Sequence, residues 1–122
     1  MKRFLILTAL VLASGQAGAA FYSTGYLKQL MDNCNALPDT FEANKESFAR
    51  IKDCGLSTGY ILGVFDSLNV MADRSWCFPG TVQSGQVVET VENWIRNNPV
   101  RTDEPADRSV NSALSETWRC PE

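Results

Sequence analysis

All four cysteines of this chain, Cys34, Cys54, Cys77 and Cys120, lie downstream of an N-terminal stretch that reads as an export signal. Lys2 and Arg3 precede an apolar run from Phe4 to Ala13, and a small-residue stretch follows that contains Ala17-Gly18-Ala19, the A-x-A pattern read by signal peptidase. The run is too short for a spanning helix, which takes about 20 residues. The expected division is a signal peptide over 1–19, cleaved after Ala19, and one compact domain over 20–122. An even cysteine count in an exported domain of this size predicts two disulfides, with three pairings open at this point. No two cysteines are spaced as in zinc or redox motifs, and the chain has no histidine. Metal binding and thioredoxin-like chemistry therefore drop out, and no cofactor is expected.

Loss of Lys2 and Arg3 takes the formal net charge from −3 to −5. An acidic domain with scattered charges has no electrostatic footprint for phosphate backbones, which argues against nucleic-acid binding. No cysteine follows the cleavage site to carry a lipid, and no second hydrophobic stretch could hold the protein in a membrane. A soluble periplasmic protein is the expectation.

Helical spacing dominates the rest. Ser23 or Thr24 can cap a first helix carrying Leu27, Leu30, Met31 and Cys34, and Pro38 ends it. From Ser47 to Ala72, the positions Ile51, Cys54, Thr58, Ile61, Phe65, Leu68 and Ala72 alternate steps of three and four, the rhythm of one buried helix face. A second line on this helix holds Gly55, Gly59 and Gly63 at i, i+4 spacing. Interior glycines weaken a helix by about 1 kcal/mol each relative to Ala, so the line calls for close approach of another backbone. A neighbouring helix of the same chain is the first reading and a dimer seam the second. After a loop marked by Pro79-Gly80, Thr81 or Ser84 can cap a third helix with Val87, Val88, Val91, Trp94 and Ile95, ended by Asn97-Asn98-Pro99. Pro105 opens a fourth, with Ala106, Val110, Ala113 and Leu114. No sustained period-two pattern appears. The fold class is all-α, a small disulfide-stabilised bundle of four principal helices near 24–36, 47–72, 84–98 and 105–118.

Without histidine, Ser/His/Asp and Cys/His hydrolysis is excluded. The nearest carboxylate pairs, Asp66 with Asp73 and Glu89 with Glu92, fall at spacings that solvated helix faces also produce, and no aromatic groove surrounds them. The chain does not read as an enzyme. Trp94 and Trp118 are core candidates, while Trp76, in the loop beside Cys77 and Arg74, is either a plug for the core or an anchor for a partner protein.

Over Gly59-Tyr60-Ile61-Leu62-Gly63-Val64-Phe65-Asp66, Cys77-Phe78-Pro79, Gln86-Val87-Val88 through Asn98-Pro99, and Ala113-Leu114 to Cys120, the chain resembles a known family. It is similar to the exported immunity proteins of type VI secretion, the Tai-type amidase immunity proteins, from Cys34 to Cys120. The resemblance implies a small helical periplasmic protein, often a homodimer, that binds and blocks a peptidoglycan-cleaving amidase delivered by a neighbouring cell and carries out no catalysis. Bridges Cys34–Cys54 and Cys77–Cys120 are then expected, the first tying the opening helix to the long one, the second fastening the chain end to the loop before the third helix.

Blocking an amidase groove takes a protrusion with a fixed stem, because ordering a loose loop subtracts from affinity. The segment Asn97 to Glu104 is framed by Pro99 and Pro105 and offers Asn97, Asn98, Arg101, Asp103 and Glu104 to a polar cleft. It is the first candidate for the partner site, with Arg74 and Trp76 second. Two other classes compete. An acid-stress chaperone of small helical type would lose structure as its 14 acidic residues protonate. A small apolar-ligand carrier would need a cavity.

Overall fold

The computed structural model describes residues 21–37, 40, 42–71, 75–78 and 80–122. The signal-peptide expectation, Arg74, Asp73 and Ala72 lie outside them. Among the described residues there are four α-helices and no strand: α1 (Thr24–Asn35), α2 (Lys45–Asn69), α3 (Ser84–Asn97) and α4 (Ala106–Thr117), with a 3-10 turn at Pro99–Arg101. The first cap is Ser23, whose hydroxyl accepts from the Tyr26 N–H at 3.2 Å. Asn44 caps α2 by accepting from the Ser47 N–H at 2.9 Å. At α3 the cap is Gln83, one residue before the expected Ser84 and two after Thr81; its N–H donates to the Gln86 side chain at 3.0 Å.

One core unites the elements. Leu27 and Met31 of α1, Ile61 of α2, Val87, Val91, Trp94 and Ile95 of α3, and Ala106, Val110, Ala113 and Leu114 of α4 are all buried in it. The amphipathic rows expected for α1, α3 and α4 supply these positions. For α2 the expected row is only partly right. Ile61 is fully buried, but Ile51 is 44% exposed, and Cys54, Thr58, Phe65 and Leu68 are half-buried. The first half of α2 packs on α1 with another side: Ser47 and Ser57 are buried there, and Ile51 points about 120° away from Ser57 around the helix.

Both expected disulfides are present, Cys34–Cys54 and Cys77–Cys120. The first joins α1 to the early turns of α2. The second closes the far end of the molecule, where the Cys77 N–H also donates to the Trp118 carbonyl at 2.7 Å. Trp76 is 0% exposed and clusters with Phe65 and Phe78, its ring centroid 5.1 and 5.6 Å from theirs and theirs 5.8 Å from each other. It is the plug of this end. The anchor reading is corrected here, because an indole fully buried in the core presents no surface to a partner.

The glycine line also departs from its first reading. A Cβ built on Gly55, Gly59 or Gly63 would meet nothing within 4 Å, so among the described residues no helix packs closely against the line. Sequence spacing shows that the glycines share a face; it does not show which side of the helix the core takes.

Candidate functional site

The segment from Asn97 to Glu104 leaves α3 through Asn98, whose N–H donates to the Ile95 carbonyl at 3.2 Å and whose side-chain amide donates to the Trp94 carbonyl at 2.8 Å. These bonds satisfy carbonyls that a helix end leaves open. Pro99 then starts the 3-10 turn, and Arg101 folds back over Trp94 with its guanidinium carbon 5.3 Å from the ring centroid. The Trp94 indole is itself fixed, donating to Glu116 at 2.8 Å. Arg101 also pairs with Glu104 at 3.6 Å.

The other side of the segment rests on the start of α1. The first N–H groups of a helix have no partner within it. Here the Thr24 N–H donates to the Glu104 carbonyl at 2.8 Å and the Gly25 N–H to the Thr102 carbonyl at 2.9 Å. The Thr24 hydroxyl donates to the same Glu104 carbonyl at 3.0 Å and lies 2.7 Å from the Ser109 hydroxyl, in a buried pair. The approach is close: a Cβ on Gly25 would stand 3.2 Å from the Thr102 carbonyl oxygen. Sequence reasoning missed both roles. Thr24 was readable only as an alternative cap, and a lone glycine in a first turn carries no periodic signal.

The result is a fixed stem with an exposed tip. Asn97, Pro99, Thr102 and Asp103 are exposed, and Val100 is 89% exposed. Asp103 makes no hydrogen bond or ion pair among the described residues. Of the five polar residues named from sequence, Asn97 and Asp103 face outward, while Asn98, Arg101 and Glu104 also brace the segment. The second candidate pair does not join them. Trp76 lies at the opposite end of α4, and Arg74 lies outside the described residues.

Beside this stem, between α2 and α4, an open groove of 510 Å³ is lined by Gly59, Tyr60, Gly63, Leu68, Met71 and Asp107 among others. Tyr60 stacks near Tyr22 at 4.8 Å. Burial pushes its phenol above the ordinary value of 10.0, and the Asp107 and Tyr22 charges add to this, while a backbone hydrogen bond at Asp107 opposes it. Of the carboxylates considered from sequence, Glu92 is bound to Arg96 at 3.3 Å and Asp66 stands exposed on α2, while Asp73 lies outside the described residues. No group of acidic or cysteine side chains able to hold a metal ion occurs among the described residues, and none of their helices is long and apolar enough to cross a membrane.

No curated protein matches the chain. The family profile described as "Rap1a immunity proteins" matches residues 26–120, the span from α1 to the last cysteine. The match takes in both bridges, the 97–104 segment and all four helices but for the first two residues of α1, and the chain belongs to the Rap1a immunity protein family, a family of type VI secretion immunity proteins.

Proposed function

We propose that this immunity protein is exported to the periplasm, cleaved after Ala19, and there blocks a peptidoglycan amidase delivered by type VI secretion, with residues 97–104 entering the active-site groove. It acts by occupancy and has no catalysis of its own. The observation that carries this reading is the bracing of the segment. Its carbonyls are held by the first N–H groups of α1, and its stem by Trp94, while Val100 and Asp103 remain outside. A protrusion ordered before binding loses little entropy on entering a cleft.

The test uses purified type VI amidase effectors, including one encoded beside this protein. Replacing Arg101 and Asp103 together by Ala should weaken binding at least tenfold, about 1.4 kcal/mol. Arg101 also covers Trp94, so some loss of melting temperature accompanies that variant. Val100→Glu with Asp103→Ala changes only the tip and should give the same loss of binding with an unchanged melting temperature. Full inhibition of the amidase by the tip variant would remove the segment from the interface.

A further inference from the structure

Four aromatic side chains gather where the chain enters α1. The Tyr22 ring lies edge-on to Tyr26 with centroids 4.9 Å apart, 4.8 Å from Tyr60 of α2, and 5.5 Å from Phe21. Phe21 is 92% exposed and Tyr26 42% exposed. The backbone beneath them is nonetheless fixed. The Tyr22 carbonyl accepts from the Ala106 N–H at 2.9 Å, Ser23 forms a bridge with Pro105, and the Thr24 and Gly25 N–H groups donate to Glu104 and Thr102. Residues 21–26 and 102–106 are therefore one surface, of which the aromatic arm is the apolar part. Its carboxylates are close at hand. Asp103 sits between the two residues that receive the first N–H groups of α1, and Asp107 follows Ala106. Both are exposed, and neither makes an ion pair among the described residues. Arg108 comes next in the chain but points about 100° further round α4.

The geometry points to residues 21–26 as a second anchor for the effector, with Phe21 and Tyr26 receiving Arg or Lys side chains on the rim of the groove that residues 97–104 enter. This inference rests on the groove-entry reading above and adds the chemistry that the partner must bring. Aromatic rings are strong anchors where they are fixed before contact, because each has few torsions left to freeze. Arg and Lys match both features of the arm. Their apolar stems lie along a ring and their charge is drawn to its face, while Asp103 and Asp107 offer charge-assisted hydrogen bonds on the same surface. A wholly apolar partner would bury those carboxylates without a counter-charge, which is costly. An acidic partner would be repelled by them. No helical or alternating pattern marks Phe21 and Tyr26 in the sequence, since their surface is made by bonds to residues about 80 positions later.

The test measures affinity of the purified, disulfide-bonded protein for the amidase that the parent inhibits. The variant F21S/Y26K should bind at least tenfold more weakly, about 1.4 kcal/mol, with its helical circular dichroism unchanged because neither ring belongs to the buried core. F21S/Y26E, which sets an anion where the cations dock, should lose about threefold less than F21S/Y26K. The tip variant V100E/D103A separates the two readings. If it loses binding while F21S/Y26K stays within about twofold of the parent, the arm is overturned and groove entry stands. Loss in the arm variants alone supports the arm and removes residues 97–104 from the groove. Affinity retained in both sets overturns both, as does a parent that binds no type VI amidase. Equal losses in F21S/Y26E and F21S/Y26K overturn the cationic partner. Sedimentation covers a further occupant: a mass that falls in F21S/Y26K while amidase affinity holds assigns the arm to a second copy and overturns its role as an effector anchor.

Discussion

Gly25 is where one missing methyl group decides the shape of the candidate site. Adding it in Gly25→Ala forces a Cβ to 3.2 Å from the Thr102 carbonyl, which is backbone and cannot rotate away. The expected cost is about 1–3 kcal/mol, the usual range for overpacking, with weaker effector binding because the braced segment shifts. Gly85, also helical but with nothing near its Cβ, is the control: Gly85→Ala should be neutral or stabilising by up to about 1 kcal/mol. Thermal melts of the two variants distinguish a contact effect from a propensity effect. Tyr60 gives the second test at this scale. Its raised pKa means that the fold favours the neutral phenol. The contribution is complete below pH 10, where both states are protonated, and is lost at higher pH as the unfolded chain ionises first. Melting temperature in Tyr60→Phe should therefore fall less steeply above pH 10 than in the parent, and Asp107→Asn should bring the phenolate titration back toward the ordinary value. Neither residue's environment was legible in sequence. Tyr60 packs against Tyr22, 38 residues away in the chain, a contact that no local pattern announces.

At the scale of elements, periodicity located all four helices to within three residues at each end, since caps, prolines and apolar rows agree with one another there. It was weakest for α2. A rhythm of three and four identifies a face, but it does not say which side of the helix its neighbours cover: the first turns of α2 lie against α1 and bury Ser47 while Ile51 stays exposed. Two substitutions of the same chemistry on that one row separate the cases. Ile61, at 0% exposure, should cost about 2–5 kcal/mol as Ile61→Ala, through lost transfer energy and the cavity left behind. Ile51→Ala should cost under about 1 kcal/mol, as expected for a surface position. Urea unfolding of both variants checks this. Equal losses would mean that Ile51 is covered in solution by something other than this chain's described residues. The 97–104 segment was legible as a stiff connection from its two prolines. Its bracing was not, because the partners lie in α1, about 80 residues earlier, and backbone carbonyls leave no mark in a sequence.

For the whole molecule, the two bridges work at different ends of the bundle and at different chain separations. Cys34–Cys54 closes 20 residues and Cys77–Cys120 closes 43. If restriction of the unfolded chain dominates, the shorter loop contributes about 3 kcal/mol and the longer about 4 kcal/mol. The longer bridge also holds the chain end beside Trp76, whose buried ring packs against Phe65 and Phe78. Loss of Cys77–Cys120 should therefore cost more than loss of Cys34–Cys54 and should leave a signature of its own. Alanine at both Cys77 and Cys120 should lower the melting temperature further than alanine at both Cys34 and Cys54, and should alter near-ultraviolet circular dichroism as the indole loosens. The candidate site lies at the other end of α4, tied to α1 by bonds that neither sulfur touches. As long as the bundle stays folded, effector affinity of the Cys77/Cys120 double variant should remain within about threefold of the parent, less than 1 kcal/mol. A large loss of affinity in a variant that is still folded would mean that the two ends of α4 are mechanically coupled, and that the chain end contributes to the binding surface directly or by holding α4 in register.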